Sequence, residues 1–280
     1  MTLSRRSFLG TAIAAELFRR GLPRITRIGW FTAPGSGQAS ATGGAIPRSF
    51  PSHDPDLARE MVSVSHGNAQ RVRELLSNRP ALAKAVWDWG YGDWETALGG
   101  ASHVGNREIA ELLISAGAPP TIFSAAMLGQ LTVVQGIISA TPGVQRAKGP
   151  HGISLLSHAK AGNASEVVKY LESLGDADPR YKNEPLSEAD RAAILGTYTY
   201  GPATPDRLTV LINTRGALMI QREGAVGRNL FHLGERVFHP SGAEDVRIRF
   251  GAGEPATTLR IEDGPVVVAA KRLQAVPLLE

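Results

Sequence analysis

The chain has no cysteine in 280 residues. That excludes disulfides, thiolate metal sites, a thiol nucleophile and a lipid-modified N-terminal cysteine. It also lacks an apolar run of the roughly 18 to 20 residues that a membrane span needs, so no span is expected. Charge of one sign is scarce outside the N-terminus. The formal net charge is +4. Residues 1–41 hold Arg5, Arg6, Arg19, Arg20, Arg24 and Arg27 against Glu16 alone, a surplus of five, which leaves −1 for the rest. With no basic body to hold phosphate, a nucleic-acid partner is not expected.

A serine hydrolase would show Gly-x-Ser-x-Gly or Ser-x-x-Lys, and "GSGQ" and "SGA" match neither. The seven histidines (His53, His66, His103, His151, His158, His232 and His239) form no His-x-x-x-His or His-Glu-x-x-His pattern. "GAGEP" at 251–255 lacks the Lys-Ser/Thr of a phosphate loop and reads as a turn. No catalytic residue, no metal ligand and no cofactor is therefore expected, and the chain does not read as an enzyme.

The N-terminus carries a different message. "SRRSFLG", Ser4–Gly10, resembles the twin-arginine export motif: two arginines, a nearby Phe-Leu and an apolar stretch, with "ASA" at Ala39–Ala41 as small residues for cleavage. The resemblance implies a signal segment over 1–41 and a periplasmic or secreted protein that crosses the membrane already folded. A basic tail on a cytoplasmic protein is the alternative. Residues 42–55 read as a Gly-, Ser- and Pro-containing linker.

Glycines recur in similar surroundings at Gly67, Gly105, Gly129 and Gly162, spaced 38, 24 and 33 apart. After each, Val or Ile followed by paired apolar residues makes one apolar helix face of about two turns. Such a face has to be buried against neighbours. The clearest copy, "TALGGASHVGNREIAELLISAGA" at Thr96–Ala118, resembles the ankyrin repeat through Thr96, Leu98, Ala101, Gly105, Glu108, Ile109, Leu112, Leu113, Gly117 and Ala118. About four repeats over 56–178 are expected, against an ideal period of about 33. His151 and His158 can meet across one repeat, but no cluster of acids accompanies them.

Between the first two copies lies "AVWDWGYGDWETAL", with Trp87, Trp89, Tyr91 and Trp94 interleaved with Asp88, Asp93 and Glu95. Ankyrin proteins commonly bind partners with loops at this position, and Trp and Tyr dominate binding hot spots. Alternation puts Trp87 and Trp89 on one side of an extended segment. That side either covers the next helix, contacts a protein partner, or stacks on a carbohydrate or small ligand. Trp94, next to the start of the second copy, is expected to be structural, and Trp87 or Trp89 exposed. The candidate partner-binding residues are Trp87, Trp89, Tyr91, Asp93 and Trp94, with His103 and Met127 on the inner helices.

After a linker at 179–187 the periodicity changes. Eight short alternating runs between Thr197 and Arg272, separated by Gly, Pro, Asn or Asp, predict an antiparallel barrel or sandwich over 188–275. "GTY" at Gly196–Tyr198 and "FHPSGAEDVRIRF" at Phe238–Phe250 are similar to the β-stranded accessory domain of bacterial serine-β-lactamase-like hydrolases. The expected fold is thus α + β and two-domain, an ankyrin-type α-solenoid followed by a small antiparallel β barrel or sandwich. The expected function is a non-catalytic scaffold for a protein partner of unstated identity. An accessory or regulatory subunit of an exported hydrolase, or a cryptic hydrolase, is the alternative.

Overall fold

Each glycine-marked stretch becomes a pair of short helices. They are α1 (Pro55–Val64) with α2 (Ala69–Asn78), α3 (Ala97–His103) with α4 (Arg107–Ser115), α5 (Ile122–Met127) with α6 (Leu131–Ala140), and α7 (Leu155–Ala161) with α8 (Ser165–Leu174). The computed structural model from which these are read describes residues 49–274. The twin-arginine-type segment lies outside them.

Local chemistry explains where the helices start. Thr96, Thr121 and Ser154 cap α3, α5 and α7, each accepting the amide three residues on at 2.8, 3.1 and 3.2 Å. Asn68 and Asn106 do the same for α2 and α4 at 3.0 and 3.1 Å. Each such cap stabilises its helix by about 1 kcal/mol. Buried faces follow the apolar spacing: Val72 and Leu75 in α2, Ile109 and Leu113 in α4, Val167 and Leu171 in α8. Between α2 and α3 the chain forms a two-stranded hairpin, β1 (Val86–Asp88) and β2 (Trp94–Thr96).

The second half is a closed barrel. A short helix α9 (Glu188–Ile194), capped by Ser187, leads into β3 (Gly196–Thr199), β4 (Arg207–Ile212), β5 (Leu218–Arg222), β6 (Arg228–Gly234), β7 (Val237–Pro240), β8 (Arg247–Phe250), β9 (Thr258–Asp263) and β10 (Val266–Arg272). All neighbours are antiparallel, and β10 pairs with β3 to close the ring. Inward residues fill it: Leu208 and Val210, Ile248 and Phe250, Leu259 and Ile261, around Tyr198 and Phe238. Strand alternation sends their neighbours outward. At the end where β3 begins and β10 finishes, α9 plugs the barrel. Tyr198 Oη donates to the Ile194 carbonyl at 2.9 Å, and Arg272 donates to the carbonyls of Ala193 and Leu195 at 2.6 Å each.

The expected two-domain arrangement of an ankyrin-type α-solenoid with a small β domain behind it is corrected on two counts. In a solenoid each repeat touches only its neighbours. Here α3 reaches past α5 to α7. The His103 and His158 rings are 6.5 Å apart, and a Cβ on Gly105 would run into the Ala161 carbonyl. Secondly, the barrel is no tethered accessory. The described residues fall within one compact unit, because the barrel and the helices share side chains. Tyr91 of the hairpin packs into the barrel core, and Lys148 Nζ meets Glu244 at 2.7 Å. The 179–187 stretch runs beside β6, with the Glu184 amide donating to the His232 carbonyl at 2.8 Å and the His232 amide to Asn183 Oδ1 at 2.9 Å.

Candidate functional site

The hairpin register decides which aromatic side chains are available. Trp87 pairs with Glu95, and Asp88 with Trp94. Trp87, Trp89 and Glu95 therefore share the face turned to the helices, and Trp94 shares the opposite face with Asp88. Trp94 is 62% exposed, whereas Trp87 and Trp89 are half-buried against the cluster built from α1 to α4. The expectation of a structural Trp94 and an exposed Trp87 or Trp89 is reversed. The turn passes through three successive left-handed residues, Gly90, Tyr91 and Gly92, and aims the Tyr91 ring into the open end of the barrel.

The two acids of the hairpin are buried. Asp93 accepts the His151 amide at 2.8 Å and His151 Nδ1 at 2.7 Å, and forms an ion pair with Arg228 at the start of β6. Burial works against its ionised form, but His151 and Arg228 outweigh it and hold its pKa below the usual range. Glu95 accepts Trp89 Nε1 at 2.7 Å on Oε2. Its carboxylate also faces His103 Nδ1 at 3.1 Å, His151 Nε2 at 3.4 Å and His66 Nε2 at 3.5 Å. Burial again opposes ionisation, yet the imidazoles bring Glu95 down to about 2. For His151, burial is overcome by Asp93 and Glu95, which raise it to about 9. One atom from each of His66, Glu95, His103 and His151 lies within 4.8 Å of the others, so these four are the residues that can hold a metal among those described.

Beside this network is a cavity of about 790 Å³ at the end of the barrel opposite α9. Its base is apolar, formed by Leu208, Ile220 and Ile261 of the barrel core, and the hairpin covers it with Trp87, Trp89 and Tyr91. Arg228 lines it too, 4% exposed. Its Nη1 goes to Asp93, while Nε and Nη2 are buried with no partner among the described residues.

The residues expected to meet a partner thus separate. Trp87, Trp89 and Tyr91 line the cavity. Asp93 is 4% exposed and engaged by His151 and Arg228, so it has no surface to offer a partner. His103 faces Glu95, and Met127 is 0% exposed in the helical core, which leaves it no surface to offer. Sequence reasoning missed Glu95, His66, His151 and Arg228. One signal was available: His66, His103 and His158 stand one, two and four positions before a Gly-Asn pair, so similar repeats would bring imidazoles together. Nothing local pointed to Arg228.

No protein-family model matches the chain, and no curated protein does. Among solved structures, the crystal structure of SurE is similar at 23% identity over 41% of this chain and 28% of that one, with a TM-score of 0.25. The crystal structure of SurE with D-Leu is similar at 24% identity over the same shares, with a TM-score of 0.24. This chain thus covers less than a third of the length of either, and at these TM-scores the similarity carries no inference.

Proposed function

We propose that the protein is a non-catalytic binding protein whose ligand is a small amphipathic carboxylate, seated in the barrel mouth beneath the Trp87–Tyr91 segment. The observation that carries this reading is Arg228. A buried guanidinium normally uses its donors, and Nε with Nη2 forms the fork that suits a carboxylate. An apolar base and aromatic cover of this size match an ordinary small-ligand site. The ligand's apolar body lies against Leu208, Ile220 and Ile261, and its head meets Arg228.

Titrating dodecanoate and dodecanol into the full chain, followed by tryptophan fluorescence, tests the reading. Dodecanoate is expected to bind and dodecanol to bind at least roughly tenfold more weakly, as loss of a charge-assisted pair implies. Arg228→Lys keeps the charge but loses the fork, and is expected to remove most of that preference. Equal affinity for acid and alcohol in the wild type overturns the carboxylate assignment.

A second reading, a scaffold for a protein partner, is favoured by Trp94. Its 62% exposure next to Val86, at 42%, is an apolar surface that nothing in the described chain covers. Export to the periplasm is proposed on "SRRSFLG" together with "ASA" at Ala39–Ala41.

A further inference from the structure

We propose that His66, His103, His151 and Glu95 form a site for one divalent transition-metal ion of the zinc class. This site is distinct from the barrel-mouth cavity and does not depend on what that cavity binds. Four donor atoms converge from four separate places: the turn after α1, the end of α3, the hairpin, and the loop before α7. They lie within 4.8 Å of one another. Zinc bound tetrahedrally at about 2.0 to 2.2 Å implies donor separations of roughly 3.4 Å. Glu95 Oε1 lies 3.1 Å from His103 Nδ1 and 3.4 Å from His151 Nε2, and Glu95 Oε2 lies 3.5 Å from His66 Nε2.

Hydrogen bonding alone does not account for this convergence. His103 Nδ1 and Glu95 Oε1 are both buried, yet neither has a hydrogen-bond partner. Their approach has the separation of two ligands on one ion without the direction of a donor and an acceptor. Glu95 is 0% exposed, and a buried carboxylate oxygen that accepts no hydrogen bond is a costly arrangement.

The surroundings orient the donors as metal sites require. His66 Nδ1 donates to the Val62 and Ser63 carbonyls, each at 3.1 Å, which leaves the Nε2 lone pair facing the cluster. His151 Nδ1 donates to Asp93, so a carboxylate–histidine pair presents Nε2 to the same point. Trp89 Nε1 holds the other oxygen of Glu95. Such outer contacts fix tautomer and ring angle and raise ligand basicity. The His151 backbone is left-handed at φ 60° and is held there by its amide bond to Asp93.

Three nitrogens and one carboxylate oxygen suit Zn²⁺, Co²⁺, Ni²⁺ or Cu²⁺ and not Ca²⁺ or Mg²⁺, which take oxygen shells. Four protein ligands fill a tetrahedral site and leave no open position, which marks it as structural. The side chains of His66 and His151 are 31% and 24% exposed, so an ion has a way in. Once bound, it ties α1, α3 and the hairpin together and, through Asp93, the barrel.

The test uses the full chain without a histidine tag, stripped with a chelator and titrated with Zn²⁺ by calorimetry and with Co²⁺ by visible absorption. One Zn²⁺ per chain is expected, together with the intense visible bands of four-coordinate Co²⁺ and a raised melting temperature. His103→Leu and Glu95→Gln are expected to abolish these effects. Asp93→Asn, which leaves all four ligands in place, is expected to weaken binding by about 10- to 100-fold. Should a variant fail to fold, the wild-type cobalt spectrum decides. Absence of four-coordinate bands overturns the site, as does Zn²⁺ binding that is unchanged in a folded His103→Leu or Glu95→Gln variant.

Discussion

Asp93 and Arg228 are 135 residues apart in the chain and form a buried ion pair, 4% and 5% exposed at their side chains. One belongs to the hairpin between two helix pairs, the other to the first residue of β6. The pair therefore crosses from the helical layer to the barrel and makes the two halves one unit. His151 joins it from the loop before α7, with its Nδ1 3.0 Å from Arg228 Nη1 and both groups converging on Asp93.

Removing one partner leaves the other charged, buried and alone. Asp93→Ala is expected to lower stability by about 3 to 5 kcal/mol. The double replacement Asp93→Leu with Arg228→Met is expected to recover much of that loss, because it deletes both charges together. Urea denaturation measures each variant. A single-variant loss under about 1 kcal/mol would show that water still reaches the pair.

Core positions of α4 offer a sharper contrast. Leu113 is 0% exposed, whereas Leu112 is only partly buried on the outer side of the same helix. Leu113→Ala is expected to cost about 2 to 5 kcal/mol. Leu112→Ala is expected to stay below that range. Equal midpoints for the two variants would mean that α4 turns a different face to the core.

Much of the local structure was legible because it is set by neighbours in sequence. Gly67, Gly105, Gly129 and Gly162 with the apolar residues after them announced helices, and alternation through Leu208–Ile212 and Arg247–Phe250 announced strands. Contacts between distant segments were not legible. Placing Asp93 among the partner-binding residues followed from its being charged. The burial of Asp93 and of Glu95 depends on Arg228 and on three histidines that no local spacing connects. The ligand atoms come from four places, so no His-x-x-x-His pattern exists to be found. The contact of α3 with α7 was hidden too, because a repeat period shows which copies follow one another and not which helices meet.

Export is tested apart from the fold. Replacing Arg5 and Arg6 with lysine preserves charge and removes the motif. The variant is expected to accumulate in the cytoplasm while the parent reaches the periplasm, as judged by fractionation. Equal export of the two would remove the twin-arginine proposal.

His158 gives the fold a pH dependence. It is 0% exposed, and burial pushes its pKa down to about 4, with Nδ1 bonded to the Ser154 carbonyl at 2.9 Å and Nε2 without a partner. An unfolded histidine titrates near 6.5. Between those values the unfolded chain binds the extra proton, so stability rises with pH across this window and is lost as pH falls from about 6.5 to 4. The loss is on the order of 3 kcal/mol. His158→Gln keeps an N–H for Ser154 and removes the titration. Its stability relative to wild type is expected to improve as the solution is acidified, and parallel pH profiles for the two proteins would exclude His158 as the cause.

The tryptophans separate by the face of the hairpin on which they lie. Trp94→Ala removes a side chain that is already 62% exposed, so stability is expected to change by no more than about 0.5 kcal/mol. Trp89 is half-buried and donates to a carboxylate with no access to water. Trp89→Phe keeps most of the packing but leaves Glu95 Oε2 without its donor, at a cost of about 1 to 3 kcal/mol. Trp89→Ala adds the lost packing and is expected to reach about 3 to 5 kcal/mol. Binding divides the same residues differently. Dodecanoate affinity is expected to fall with Trp89→Ala, because that ring covers the cavity, and to be unchanged in Trp94→Ala, whose ring lies on the opposite face. Thermal melts and fluorescence titrations on the three variants give both readouts. A Trp94→Ala variant that melts early or loses dodecanoate would contradict the hairpin register, since only a shift of one residue exchanges the two faces.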